Sequence, residues 1–145
     1  VYNGVAAIAA LALLPVLSSW LGKARAHALC LTAGALGFSG FLVLRDPDAL
    51  VICEIGIGIA WASILAMPYA ILASSLPQRK LGIYMGLFNV FVVLPQLLVA
   101  TVMGSIMKAL FPDEPIWTMV FAAATLLVAA AASLRIGEGE QQSLL

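Results

Sequence analysis

Charge is what this chain has least of. Charged residues make up 10% of its 145 positions, against roughly 25% in soluble domains, and hydrophobic residues reach 63%. Seven basic and seven acidic residues cancel, so nothing in the overall balance invites nucleic acid or an acidic partner. There are two cysteines and a single histidine. Cys30 and Cys53 both fall inside apolar runs, where a thiol behaves as a small buried hydrophobe, so no disulfide framework or metal site is expected. A Gly-rich phosphate loop, a His-Glu metal pair and a nucleophile with a base in reach are all missing, which argues against an enzyme. Nor does a basic region precede the first apolar run. Starting at Val1, the chain reads as an excised or incomplete one rather than as one opening on a secretory signal.

The apolar runs themselves carry the first positive result. From Leu81 to Met107 there is no formal charge, a stretch longer than the roughly 20 residues needed to cross a bilayer core. Charges divide the chain into five such segments, 1–22, 28–44, 49–76, 81–107 and 115–134, each expected to span as a helix and joined by connections too short to hold a domain. None alternates polar and apolar residues as a transmembrane strand would. The expected fold is therefore all-α and transmembrane, followed by a polar cytoplasmic tail over 137–145.

Basic residues set the orientation, because short cytoplasmic loops gather Lys and Arg. Lys23, Arg25, Arg79, Lys80 and Arg135 fall on one side, against Arg45 and Lys108 on the other. The N-terminus is thus expected outside and the C-terminus inside. Asp46-Pro47 suits a helix N-cap with proline at the first helical position. His27 is expected to be solvated in the first basic loop.

Several residues inside the spans point to function. Pro15, Pro68 and Pro95 each lack the N–H that would bond the carbonyl four residues earlier, freeing the carbonyls of Leu11, Ile64 and Phe91. Asn89 and Gln96 lie seven residues apart and so share one helix face within about 20°. Two amides near the bilayer centre suit a hydroxyl-rich solute, and equally serve as glue between helices. Trp61, about 18 Å along its span, forms a second candidate surface with Pro68 and Tyr69. Glu54 is the one acidic residue inside a span and is the candidate for taking up and releasing a proton; reaching outside water is the plainer reading of its shallow position. Gly34, Gly37, Gly40, Gly82 and Gly86 allow close helix packing.

Two longer matches go further. Gly58-Ile-Ala-Trp61-Ala-Ser63, followed by Met67-Pro68-Tyr69-Ala70-Ile-Leu72-Ala73, resembles the tenth span of sucrose-type transporters of the major facilitator superfamily. Leu76-Pro77, Lys80, Gly82-Ile-Tyr84-Met85-Gly86-Leu-Phe88-Asn89 and Val93-Leu94-Pro95-Gln96 resemble the following loop and eleventh span of sugar:proton symporters of the glycoside-pentoside-hexuronide and sucrose transporter kind. The resemblance implies a five-helix C-terminal part, spans eight to twelve, of a twelve-helix bundle in the plasma (inner) membrane. Its partners would be the bilayer, a sugar such as a disaccharide, and spans one to seven of the same transporter. A proton gradient would drive it without a cofactor. It further implies that Trp61, Tyr69, Asn89 and Gln96 face the solute, that Pro68 and Pro95 permit bending, and that Arg79 and Lys80 hold the inside loop. Glu54 matches no coupling acid of that family by motif. A transporter of another small solute and a non-transporting membrane scaffold are the alternatives.

Overall fold

The computed structural model describes residues 1–136; the tail over 137–145, with its expected cytoplasmic placement, lies outside the described residues. Five helices follow one another: α1 (Tyr2–Leu21), α2 (Lys23–Val43), α3 (Pro47–Ser75), α4 (Leu81–Leu110) and α5 (Trp117–Ser133). There is no strand among the described residues. A bilayer offers backbone groups no water to bond, and helices meet that demand within each segment. The first four helices are long and apolar enough to cross a membrane, whereas α5 is apolar but only 17 residues long. At 1.5 Å per residue it covers roughly 26 Å, just short of a bilayer core of about 30 Å. The chain is an all-α integral membrane protein.

Helix starts follow caps and turns rather than charges. Asp46 accepts a hydrogen bond from the Asp48 N–H at 3.2 Å and Pro47 opens α3, so that helix begins two residues before the apolar run. At the other end of α2 the expectation fails. The helix begins at Lys23 rather than Ala28, and Gly22, with φ at 81°, makes the whole turn from α1 by itself. That left-handed conformation favours glycine. Lys23 and Arg25 end a hydrophobic run without ending a helix, because Arg25 is exposed and Lys23 Nζ reaches the Ala70 carbonyl at 3.4 Å. Two prolines sit close to places where the helix widens. A π-turn over Ala9–Leu13 contains Leu11, whose carbonyl Pro15 leaves without its usual partner. Another, over Val99–Met103, follows Pro95, and there the Thr101 hydroxyl donates to the Leu97 carbonyl at 2.7 Å. Pro68 lies in an uninterrupted α-helix.

The centre of the bundle is the seam between α2 and α3, where small residues let the backbones touch. A methyl group added to Gly37 would sit 2.6 Å from the Cys53 carbonyl oxygen, and one on Gly56 would sit 2.5 Å from that of Ala33; Gly34 abuts Ala60. Helix α1 lies on α3 in the same manner, with Gly58 against the Tyr2 carbonyl and Val5. Ala6, Ala9, Leu14, Ala26, Cys30, Ala62 and Met67 close the core between these three helices. On the opposite side of α2, Ala28 and Leu31 pack with Ala130 and Leu126 of α5. Helix α4 buries no residue. Accordingly Gly82 and Gly86, expected to be packing positions, have nothing within 4 Å of an added methyl, whereas the expected Gly34, Gly37 and Gly40, together with Gly56 and Gly58, make the close approaches.

Alanine at Gly37 or Gly56 must push backbones apart, since the atom it meets is a carbonyl and not a flexible side-chain end. Each is expected to lower stability by about 1–3 kcal/mol in reversible unfolding in mixed micelles. Gly86→Ala, in open space, should unfold at the wild-type midpoint or above it.

Candidate functional site

Hydroxyls on these helices mostly serve their own backbone. Ser18, Ser19, Thr32, Ser39, Ser74, Ser75, Thr125 and Ser133 each donate to a carbonyl three or four residues earlier. A hydroxyl bonded in this way removes its own polarity from the apolar surroundings and is poorly placed to meet a solute. The polar groups that reach beyond their own helix are therefore the informative ones.

Tyr69 and Asn89 form one such pair. The Tyr69 hydroxyl donates to Asn89 Oδ1 at 2.6 Å, linking α3 to α4, and the Phe88 ring meets the tyrosine edge-on at 5.2 Å and 80°. Asn89 is exposed and Tyr69 half-buried. The pair therefore lies at an open surface. Since Oδ1 takes the tyrosine proton, the amide nitrogen of Asn89 keeps both of its N–H donors for another partner. Pro68 precedes the tyrosine directly, so the helix next to the pair lacks one backbone hydrogen bond.

Gln96 lies on α4 seven residues beyond Asn89 and is exposed. Next to it Phe91, Leu94, Pro95 and Leu98 border a shallow apolar hollow. Trp61 does not join Tyr69. Eight residues apart on α3, the two differ by about 80° in direction and about 12 Å along the axis. Instead Trp61, 44% exposed, shares a cavity of ≈ 310 Å³ with Glu54, Tyr2, Phe38, Phe41, Ile57 and Met119. Glu54 Oε2 accepts the Tyr2 N–H at 3.2 Å. The four candidate solute residues thus divide into a Tyr69–Asn89 pair, a separate Trp61 and an exposed Gln96. Glu54 and Trp61, seven residues apart, carry the same one-face spacing as Asn89 and Gln96, and that spacing was the signal for their company.

A third polar group was missed altogether. His27, expected in a solvated loop, is buried in α2 at 8% exposure, with Nδ1 2.7 Å from the Oγ of Ser63, which is fully buried. Cys30, three residues further along α2, is buried as well. The run Ala24, His27, Ala28, Leu31, Ala35 repeats every three or four positions and is buried throughout, so helical spacing places His27 on the core face. Among the described residues no group of three or more His, Cys, Asp or Glu is placed to hold a metal ion. A further cavity of ≈ 450 Å³ between the end of α4 and the start of α5 has only apolar and aromatic lining, including Met103, Met107, Phe111 and Trp117, and offers hydroxyls nothing to bond.

Comparison of the chain with known family models, curated proteins and solved structures finds no match. Its chemistry rests on its own residues.

The buried His27–Ser63 pair predicts a structural effect that surface hydroxyls do not share. Ser63→Ala leaves His27 Nδ1 without its partner inside an apolar seam and should cost about 1–3 kcal/mol of unfolding free energy. Thr125→Ala, exposed and bonded only to its own helix, should stay within about 0.5 kcal/mol.

Proposed function

We propose that these helices form the C-terminal part, spans eight to twelve, of a twelve-helix secondary transporter of the major facilitator kind. It carries a sugar or glycoside, such as a disaccharide, together with a proton across the plasma (inner) membrane, with the N-terminal end of this chain outside and its C-terminus inside. The observation that carries the reading is the Tyr69–Asn89 hydrogen bond, a polar pair exposed on otherwise apolar helices beside Pro68. In hydrocarbon such a pair with spare donors is costly, whereas facing a watery crevice it is a ready-made partner for hydroxyls.

In this reading the Asn89 amide and the tyrosine hydroxyl hold sugar hydroxyls from one wall, and Gln96 extends the same wall. Trp61 offers a ring face to the solute from farther along α3. Spans outside this chain supply the opposite wall, and rocking of the two halves exposes the site to either side in turn. Glu54 takes up and releases the proton near the outer end of α3. Pro68 and Pro95 let their helices bend, and Arg79 and Lys80 hold the inside loop between α3 and α4. The closeness of Lys23 Nζ to the Ala70 carbonyl agrees with a basic end facing the cytoplasm.

Uptake of labelled disaccharides by the full-length protein in proteoliposomes, with and without an imposed pH gradient, tests this directly. Flux should rise with the gradient and saturate with sugar. Asn89→Ala and Gln96→Leu should each lower uptake by about tenfold, the loss of one hydrogen bond to a polar ligand, while surface expression holds. Gradient-independent or absent sugar flux would contradict the proposal, and normal flux in both amide variants would make the pair structural.

A further inference from the structure

Beside α1, α2, α3 and α5, at the end of the bundle where α1 and α3 begin, four aromatic residues and one carboxylate line the same ≈ 310 Å³ cavity. Four rings around one acid is an unusual lining for a space at the small end of ligand cavities, which run from roughly 300 to 1,000 Å³. The carboxylate belongs to Glu54, half-buried and oriented by the Tyr2 N–H on Oε2 at 3.2 Å. Among the described residues no lysine or arginine pairs with it. A carboxylate within a membrane span wants a cation.

We propose that this cavity binds a small quaternary ammonium ion, held by the Glu54 carboxylate and the rings of Tyr2, Phe38, Phe41 and Trp61.

The lining selects that class against its competitors. An anion would meet Glu54 with no counter-charge. A sugar would bring many hydroxyls to a surface whose polar side-chain groups are the Glu54 carboxylate, the Tyr2 hydroxyl and the Trp61 N–H, and most would lose their water without replacement. A primary ammonium brings three N–H donors, and the lining side chains offer acceptors only at the Glu54 carboxylate, one site of which is taken by the Tyr2 N–H, and at the Tyr2 hydroxyl. A quaternary ammonium needs none; it spreads its charge over methyl groups, and aromatic rings attract it through their negative faces while the carboxylate supplies charge. The cavity shares no lining residue with the Tyr69–Asn89 pair; it does claim Glu54 and Trp61, which the sugar:proton reading uses otherwise, so ammonium binding here would leave that reading to Tyr69, Asn89 and Gln96.

Such a cation comes either free in solution or as the choline headgroup of a lipid, and two arms tell these apart. In the first, choline is titrated into the intact protein in detergent, with every tryptophan other than Trp61, Trp20 and Trp117 among them, replaced by Phe so that Trp61 alone reports by fluorescence; the uncharged tert-butyl analogue of the same shape serves as control. Saturable quenching by choline, about tenfold weaker for the analogue, assigns a free solute. In the second arm, the same protein is placed in vesicles of choline or glycerol headgroup lipids. A Trp61 emission shift confined to choline lipids, and lost in Glu54→Gln, assigns the headgroup. Glu54→Gln should weaken either form by at least about tenfold while circular dichroism shows unchanged helix content. Equal binding of the uncharged analogue, unaltered binding in Glu54→Gln, or no response in either arm from a protein of normal helicity would overturn the proposal.

Discussion

Backbone contact between α2 and α3 is the constraint on which the rest of the structure depends. Lipid competes with side chains for dispersion contacts, so helices in a membrane gain by approaching closer than lipid can. Gly37 against the Cys53 carbonyl and Gly56 against that of Ala33 are such approaches, and Gly58 brings α1 to α3 in the same way. Because α2 and α3 are held this closely, the faces of α3 are committed. One is occupied by the seam, with Ser63 reaching His27 across it. The faces left over carry Trp61 and Glu54 toward α1 and α5, and Tyr69 toward α4.

Helix α3 therefore serves as a common post for two polar places. Glu54 and Tyr69 are fifteen residues apart, which separates them by roughly 22 Å along the axis. The cavity with Glu54 lies near the Pro47 end and the pair with Asn89 near the Ser75 end. Packing differs between them. The helices around Glu54 are knit together through α1, α2 and α5, whereas α4 meets α3 through the Tyr69–Asn89 hydrogen bond and the Phe88 edge contact and buries nothing of its own. A helix attached this lightly, with a proline and a π-turn within it, is suited to moving relative to the knit part.

How legible this was in the sequence depended on the range of the interaction. Local signals read well: Asp46-Pro47 marked the start of α3, and uncharged runs marked helices, because capping and apolar length act within a few residues. The start of α2 does not read well, since Lys23 and Arg25 look like loop residues although the helix already begins at Lys23, directly after the Gly22 turn, and their long side chains carry the charge away from it. His27 was misplaced for the same reason, although its spacing with Ala24, Ala28 and Leu31 pointed inward. Tyr69 and Asn89 were each singled out, but their bond joins two helices and leaves no mark in the periodicity of either. Gly82 and Gly86 carried the same small-residue pattern as Gly34 and Gly37, and composition alone does not tell which small residues meet a neighbour.

The direct measurement is the surroundings of position 89. A spin label at Asn89→Cys, in the full-length protein reconstituted in bilayers with every other cysteine, the buried Cys30 and Cys53 included, replaced by Ser or Ala, can be relaxed by oxygen dissolved in hydrocarbon or by a nickel chelate dissolved in water. A crevice lined by the Tyr69–Asn89 pair predicts stronger relaxation by the aqueous chelate than by oxygen. Relaxation dominated by oxygen would place the amide among lipid tails and contradict the account.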